Sequence, residues 1–429
     1  MDAERFATQS LTDARIKRIL FSALKAVDPA EAVRRNLPAV GGNVYGLGIG
    51  KASIPMLTAL AEAIPLMGAL AISKHASSSA PSLFPVLLGG HPVPNLDSLR
   101  AGERALEFVS ALHEDDTLIC LISGGGSALM TAPHEGISLE DMQSLTSLLL
   151  SCGAPIDEIN TLRRQLDLVK GGGLARATKA KVISLILSDV IGNPLEAIAS
   201  GPTHPNPTTN DDALAILRKY GIEERVPKSI MSFLESGSLL HPYQKQASEF
   251  KSNNIVIGDN KLAALAAVEQ ADREGFDAEI LTNELQGEAR EVGAMLAKRL
   301  RDESAKRKRP FCLIAGGETT VTLQLHSGQA LKGKGGRNQE LALSAVDELR
   351  GLGNVMLVSL TTDGEDGPTD AAGAVVTGES ARRAESLGLD AAGFLSRNDT
   401  YHFFHAMGDL IKTGPSGTNV NDLVFLLAL

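Results

Sequence analysis

The chain has 429 residues, more than one hydrophobic core usually organises, so its length predicts two domains. Hydrophobic residues make up 43% of it and charged residues 21%, which is typical of a water-soluble globular protein. The formal net charge of -10 argues against a general nucleic-acid binder, whose surface should be basic, but is compatible with a small anion held by a few local cations.

The cysteines and the N-terminus indicate the compartment. Cys120, Cys152 and Cys312 have neither the spacing of a zinc site nor the even number of a disulfide framework. Met1 to Ser10 include acidic residues and lack the apolar core of a secretory signal, and no apolar run is long enough to span a bilayer. We therefore expect a cytoplasmic protein without a membrane partner.

The first half of the chain alternates apolar strands with amphipathic helices, and this alternation predicts a parallel α/β domain. Helical spacing of apolar residues from Leu11 to Val27 predicts an opening helix. Val44–Lys51 is predicted to be a strand that runs into a glycine turn, with a helix from about Ser53. The other predicted strands are Ala69–Ser73, Leu118–Ile122 and Lys181–Leu187.

A polar stretch from Glu223 to Lys251, interrupted by proline and glycine, predicts a linker and a division into domains of residues 1–240 and 241–429. The alternation then restarts, which predicts a second α/β domain. Its predicted strands are Ile255–Ile257, Ala278–Leu281, Phe311–Ala315 and Val355–Leu360, with a half-buried strand at Thr319–Leu325.

The segment Leu118–Met130 combines a buried strand, a glycine turn and the start of a helix. Free backbone N–H groups converge in such a turn, so Ser123, Gly124, Gly125, Gly126 and Ser127 are candidates for binding an anion. Considered alone, the segment fits a tight turn without a ligand equally well.

Two other glycine and lysine loops come close to known phosphate-binding motifs. Gly46-Leu-Gly-Ile-Gly-Lys51 has lysine where a dinucleotide fingerprint needs its third glycine. Gly328–Gly335 has Walker A spacing, but Gly335 replaces the hydroxyl residue that would bind Mg²⁺. Neither is the known motif, yet each leads into a predicted helix, where a cation is favourable if an anion shares the site.

Polar groups follow the apolar strands with unusual regularity, and ligands of open parallel sheets bind outside these strand ends. Phosphoryl transfer needs backbone donors, cations, carboxylates for Mg²⁺ and a positioned hydroxyl. The strand-end loops supply these groups: the cations Lys51, Lys170, Lys334 and Arg337, and the carboxylates Asp189, Glu318, Asp363, Asp366 and Asp370.

Simpler interpretations remain open for some of these residues. Asp363, Asp366 and Asp370 lie among Asp-Gly and Gly-Pro pairs, which also mark surface turns. His91 and His204 lie in proline-rich loops and are interpreted as loop hydrogen-bonding residues rather than catalysts.

Several unusual motifs occur together in one order, and over nearly the whole chain they resemble the class II glycerate kinases, the MOFRL family. The motifs are Gly48–Lys51, His91–Pro94, Ser123–Leu129, Lys170–Ala175, Ser188–Val190, Ala199–Thr203, Gly335–Glu340, Thr362–Gly373 and Thr413–Asp422.

The resemblance implies ATP-dependent phosphorylation of D-glycerate at O2, giving 2-phosphoglycerate and ADP. It implies an N-terminal Rossmann-like α/β/α domain, a smaller C-terminal α/β domain and an active site in the cleft between them. Lys51 and Arg337 are similar to the family's pair of cations, which bind the phosphoryl group or the glycerate carboxylate. Asp189 and Asp363 are the candidates for positioning the metal or the nucleophile. The loop 123–127, with Lys170, Gly335, Gly336 and Asn338, would bind substrate or phosphate, and Asp363, Glu318 and Asp370 would bind Mg²⁺.

Two alternative functions are less compatible with these motifs than a kinase. A hydroxypyruvate reductase dependent on NAD(P)H is disfavoured because the dinucleotide fingerprint is incomplete. A non-catalytic sensor of a phosphorylated metabolite is disfavoured because both cations and the carboxylates are present. The expected partners are ATP and D-glycerate, with no nucleic acid, and the oligomeric state stays open, a homodimer included.

Overall fold

A computed structural model describes residues 2–76, 83–236, 252–323 and 333–429, with the backbone of residues 325–326 and 329–330. The chain divides into two compact units. The parallel-sheet unit comprises residues 29–257, and the mixed-sheet unit comprises residues 1–28 and 258–429. In the part of the chain that the structure describes, no helix has the length and apolar character needed to cross a membrane.

Helices and strands alternate along most of the described chain. The α-helices are α1 (Ala14–Ala26), α2 (Pro29–Arg35), α3 (Ser53–Ala63), α4 (Leu96–Ser110), α5 (Gly126–Leu129), α6 (Leu139–Ser151), α7 (Ile156–Leu166), α8 (Gly173–Arg176), α9 (Asn210–Lys219), α10 (Lys228–Glu235), α11 (Asn260–Arg273), α12 (Ala289–Ser304), α13 (Arg337–Glu348), α14 (Ser380–Ser386), α15 (Ala391–Ser396) and α16 (Thr400–Met407). The strands are β1 (Val44–Ile49), β2 (Gly68–Ser73), β3 (Val86–Leu88), β4 (Thr117–Ile122), β5 (Lys181–Leu187), β6 (Ser252–Gly258), β7 (Asp277–Leu285), β8 (Phe311–Gly317), β9 (Leu325–His326), β10 (Gln329–Ala330), β11 (Val355–Thr361), β12 (Gly373–Thr377), β13 (Leu410–Ile411) and β14 (Asp422–Ala428).

The parallel-sheet unit contains a six-stranded sheet in the order β3-β2-β1-β4-β5-β6. β1 pairs in parallel with β2 and β4, and β4 pairs in parallel with β5, which confirms the predicted α/β class. The strand order reverses between β1 and β4, so the topological switch point lies at their carboxyl ends. Ile49 pairs with Ile122, and both strands therefore end at the same level.

Apolar residues on the strands explain why this sheet is covered on both faces. β4 is buried at every position, as expected for a central parallel strand. A second apolar cluster joins α6, α7, α9 and α10 around Leu145, Leu162 and Leu217. This helical cluster fixes α7, which carries one of the site residues described below.

The mixed-sheet unit has the strand order β13-β12-β11-β14-β8-β7. β14 runs antiparallel to both of its neighbours, β8 and β11, while β7 and β8 are parallel. The first residue of β14, Asp422, therefore pairs with Gly317 at the end of β8 and with Thr361 at the end of β11. The sequence pattern indicated polar groups only after β8 and β11. The pairing of β14 adds the carboxylate of Asp422 to the same group of strand ends.

The N-terminal 28 residues belong to the mixed-sheet unit, although the sequence placed them in the first domain. Asp409 is fully buried, and its carboxylate accepts hydrogen bonds from Thr8 Oγ1 (3.0 Å), the Ser10 N–H (2.8 Å) and Arg383 Nη1 (2.9 Å). Helix α1 also packs along α11. The strand predicted at Ile255–Ile257 is β6, which lies in the parallel sheet and not, as predicted, in the second domain. The boundary predicted at residue 240 falls in 237–251, outside the described residues, and stays a prediction.

The half-buried strand predicted over Thr319–Leu325 is wrong for residues 319–323, which have no strand structure beyond a single bridge between Thr320 and Glu288. The Glu288 carboxylate accepts hydrogen bonds from the Thr322 N–H (3.0 Å) and Thr322 Oγ1 (2.9 Å). A side chain that captures a backbone donor in this way competes with strand pairing.

Candidate active site

The loops that follow β1 and β4 are tied together at the switch point. The Lys51 N–H donates to the Gly124 carbonyl at 2.9 Å, and the Ala52 N–H donates to Ser123 Oγ at 3.0 Å. The Ser123 N–H in turn donates to the Ile49 carbonyl at 2.9 Å. The structure therefore brings Lys51 and the predicted glycine loop into one site.

Gly50 makes this close approach sterically feasible. Its φ is +114°, and a Cβ there would lie 2.7 Å from the carbonyl carbon of Ser123. Any larger residue would be strained and would push the two loops apart. The glycine before Lys51 is thus required by the neighbouring strand-end loop, whether or not a ligand binds.

The loop after β4 presents a group of adjacent backbone donors. None of the described residues accepts a hydrogen bond from the N–H groups of Gly124, Gly125, Gly126 or Ser127. Gly125 has a φ of 85° and directly precedes α5, so the chain turns sharply at this point. Successive free N–H groups in such a turn form a concave anion-binding surface.

A lysine and a carboxylate flank these donors. The Lys51 side chain runs along Gly125, where an added Cβ would lie 3.2 Å from Lys51 Cγ. The Asp189 carboxylate lies against Gly124, and burial raises the pKa of Asp189, while the charge of Lys51 opposes that rise. The site therefore combines a cation, free N–H donors and a buried carboxylate whose pKa is raised.

His91 also lies at this site, which the sequence interpretation missed. An added Cβ at Gly125 would lie 3.3 Å from His91 Cδ2. Burial, with the charges of Lys51 and Lys74, lowers the pKa of His91 to about 4. Its imidazole is therefore neutral at physiological pH. The signals in the sequence were its position after β3 and its place in the motif His91–Pro94.

Two buried polar residues support the far end of the glycine loop. Ser127 Oγ lies 2.7 Å from Ser200 Oγ, and Ser200 Oγ donates to Asn160 Oδ1 at 3.2 Å. Ser200 has a φ of 59° and is completely buried. It belongs to a motif used for the family resemblance, whereas Asn160, in the middle of α7, gave no signal in the sequence.

Lys170 occupies a different environment from the one predicted. Its ammonium is buried, forms an ion pair with Asp167 and donates to the Met130 carbonyl at 3.1 Å. Burial lowers the pKa of Lys170, and Asp167 opposes this shift. These contacts are those of a structural ion pair, and a role for Lys170 in binding phosphate stays a prediction.

In the mixed-sheet unit, Arg337 begins α13 and holds two carboxylates. Its Nε and Nη2 donate to Asp422 at 2.5 and 3.0 Å, and Nη1 lies 2.7 Å from Glu318 Oε1. Burial by itself would lower the pKa of Arg337, but Asp422 and Glu318 raise it above its usual value. The guanidinium is therefore permanently charged and held in a fixed orientation.

The residues beside Arg337 connect it to the interior. The Asn338 and Gln339 N–H groups donate to the Asp366 carboxylate at 3.1 and 2.9 Å, and Ser359 Oγ donates to Asn338 Oδ1 at 2.7 Å. Burial raises the pKa of Asp366 to about 6. Asn338 thus holds the start of α13 in place, and its predicted contact with substrate stays untested.

The neighbouring glycines lie against side chains of the same unit. An added Cβ at Gly335 would lie 3.3 Å from Thr400 Cβ, and one at Gly336 would lie 2.5 Å from the Asp366 carbonyl carbon. The backbone at Gly335 and Gly336 lies so close to these groups that a residue with a side chain would not fit without displacing them. The ligand contacts predicted for Gly335 and Gly336 stay predictions.

The three predicted metal ligands do not form one group. Glu318 pairs with Arg337; Asp363 accepts from Thr361 Oγ1 at 3.0 Å; and Asp370 accepts from Tyr401 Oη at 2.7 Å and from Lys412 at 2.9 Å. Across the described ranges, no three His, Cys, Asp or Glu side chains are close enough together to hold a metal ion. The predicted role of these three residues as Mg²⁺ ligands stays a prediction.

The fold and the loop geometry define a two-domain α/β protein of the kind that binds small anionic ligands at strand ends. Residues 15–235 match the model of a domain of unknown function, DUF4147, and residues 311–422 match the MOFRL family model. The chain belongs to the MOFRL family of glycerate kinases.

Individual relatives carry more specific names. A D-glycerate 2-kinase of Thermotoga maritima is 42% identical, with 95% of this chain and 96% of the relative covered. A crystal structure of glycerate kinase from Thermotoga maritima has a TM-score of 0.87 and 41% identity, covering 96% of this chain and 98% of that one. A putative hydroxypyruvate reductase of Agrobacterium vitis is 38% identical, with 96% and 93% covered.

Proposed function

We propose that the protein is a kinase that transfers the γ-phosphoryl group of ATP to O2 of D-glycerate, giving 2-phosphoglycerate and ADP. The observation that carries this proposal is the 42% identity, over nearly the whole of both chains, to a D-glycerate 2-kinase. The geometry at the switch point is compatible with it, because an α-hydroxy acid has both an anionic group and a hydroxyl group to be bound.

The free N–H groups of Gly124 to Ser127 are suited to the carboxylate of glycerate or to phosphoryl oxygens. The cation Lys51, beside Gly125, would stabilise negative charge that develops during transfer. Arg337 is proposed to act likewise on the transferred group, with its orientation set by Asp422 and Glu318.

Asp189 is proposed as the general base. It would take the proton from the O2 hydroxyl as that oxygen forms its bond to phosphorus and the bond to the leaving ADP oxygen breaks. A carboxylate whose pKa is raised by burial is a stronger base than an ordinary aspartate.

ATP is the co-substrate. Mg²⁺ that accompanies ATP usually needs only one or two protein carboxylates, and Asp363, Glu318 and Asp370 stay predictions for that role.

A coupled assay of ADP release tests the proposal. ADP formation should require D-glycerate, and Lys51→Ala should lower turnover by roughly two orders of magnitude or more. Lys181→Ala is the matched control, because Lys181 is an exposed lysine at the opposite, amino end of β5. A wild-type protein that releases no ADP with D-glycerate, ATP and Mg²⁺ would refute the kinase.

The second candidate is an NAD(P)H-dependent hydroxypyruvate reductase, because one relative carries that name. The N–H groups of the turn before α3 and of its first residue argue against it, since a dinucleotide pyrophosphate needs them. Those of Lys51 and Ala52 are bonded to the β4 loop, and that of Ser53 donates to the Gly50 carbonyl at 3.1 Å. Oxidation of NAD(P)H with hydroxypyruvate, without ADP release from glycerate, would establish the reductase instead.

We also infer a reducing, cytoplasmic setting. Cys120, Cys152 and Cys312 are all free thiols, and burial raises the pKa of the Cys120 thiol to about 12, so that it stays protonated. A homodimer is also proposed, and light scattering tests it.

A further inference from the structure

The hydroxyl groups of Ser127 and Ser200 form a chain with a defined direction. Ser200 Oγ contacts two oxygen atoms, Ser127 Oγ at 2.7 Å and Asn160 Oδ1 at 3.2 Å, but it has only one proton. An amide oxygen has no proton to give, so Ser200 donates to Asn160. Ser127 must then donate its own proton to Ser200.

This direction determines what Ser127 offers to a ligand. With its proton directed at Ser200, Ser127 Oγ retains only lone pairs, and it can bind a hydroxyl group but not a carboxylate or phosphate oxygen. The N–H groups of the same loop have the opposite preference. A single turn therefore presents donors for an anion and, at its end, an acceptor for a hydroxyl group.

The surroundings hold the chain rigidly. The Ser200 N–H donates to the Ala197 carbonyl at 3.1 Å, and its carbonyl accepts from the Gly171 N–H at 3.0 Å. Ala199 and Ser200 have φ of 50° and 59°, a conformation that non-glycine residues adopt only when the surroundings enforce it. The strained segment places the Ser200 hydroxyl against Ser127, which indicates a functional rather than a merely structural contact.

We propose that Ser200 and Asn160 are positioning residues that make Ser127 Oγ the acceptor for the O3 hydroxyl of D-glycerate, the hydroxyl that does not react. The inference rests on the proposed kinase function. Asp189 lies against Gly124 at the start of the loop and is assigned to O2, whereas Ser127 lies at the end of the loop. Of the two hydroxyl groups of glycerate, O2 is assigned to Asp189, and O3 is the hydroxyl group that remains for the second acceptor, Ser127 Oγ.

The test compares D-glycerate with D-lactate, which lacks O3. For the wild type, the Ki of D-lactate as a competitive inhibitor should exceed the KM for D-glycerate by at least about tenfold, because the analogue leaves an acceptor unpaired. In Ser127→Ala, Ser200→Ala and Asn160→Leu, this ratio should fall towards one, mainly through a higher KM. Asn160→Asp preserves an acceptor for Ser200 and should preserve the ratio.

Ser184→Ala is the matched control. Ser184 is completely buried on β5 and donates to Thr203 Oγ1 at 2.8 Å, so its loss removes a comparable hydroxyl pair away from the loop. In Ser184→Ala, the ratio of the Ki of D-lactate to the KM for D-glycerate should match that of the wild type. Because Ser127 is only half-buried, Ser127→Ala keeps the test decisive even where Asn160→Leu does not fold.

The outcomes separate the two proposals. A wild type without glycerate-dependent ADP release would overturn the kinase and this inference with it. An active wild type with a ratio near one, or variants that weaken both ligands equally, would overturn the positioning role alone.

Discussion

Adding one methyl group at Gly124 should displace the proposed base. A Cβ at this position would overlap Asp189 Oδ2 and lie 2.5 Å from Asp189 Cγ. Carbon atoms in ordinary contact lie about 3.5 Å apart, so the carboxyl group must move by about 1 Å. A misplacement of about 1 Å at a reacting group typically costs about 100-fold in rate, which is the expected loss of kcat in Gly124→Ala.

The stability of the same variant should change little, because the obstructing atoms are the end of a side chain that can rotate. An off-rotamer Asp189 would cost about 0.5–1.5 kcal/mol. The assay is steady-state ADP release at saturating D-glycerate, together with urea unfolding. Gly41→Ala is the control, because an added Cβ there meets nothing within 4 Å. A kcat of Gly124→Ala within threefold of the wild type would refute the assignment of Asp189.

Further expectations concern charge and stability. Because burial raises the pKa of Asp189, the acid limb of the kcat profile should lie above pH 3.8, its ordinary pKa, and a limb at or below that value would contradict its role as base. Arg337→Lys keeps the charge but loses the bidentate fork, so kcat should fall by about tenfold or more with the fold retained on thermal melting. Asp366, whose pKa is raised to about 6, contributes stability that is present below pH 3.8 and lost as the pH rises through about 6; urea unfolding of Asp366→Asn should lack this decline. Asp409→Ala leaves Arg383 without its buried partner and should cost about 3 kcal/mol in urea unfolding. A loss under about 1 kcal/mol would show that the contacts of Asp409 with Thr8 and Ser10 do not stabilise the fold.

Much of the candidate site could be predicted because its signals are local. Gly50 and Lys51 follow one buried strand, and Ser123 to Ser127 follow another, so strand-end chemistry indicated both loops. Their meeting follows from the pairing of β1 with β4. Lys170 shows the limit of this reasoning, because its glycine-rich surroundings are those of a ligand loop while its ammonium is buried against Asp167.

The sequence alone determined the α/β class, the family and the residues that turn at each strand end, because apolar periodicity and glycine placement are properties of neighbouring residues. The tertiary structure decided which distant residues meet. Fully buried strands have the same composition whichever way they run, so only the fold could place the start of β14, with Asp422, beside Arg337. Ser200 and Asn160 are distant from Ser127 in the sequence, so only the fold could bring them to its hydroxyl group.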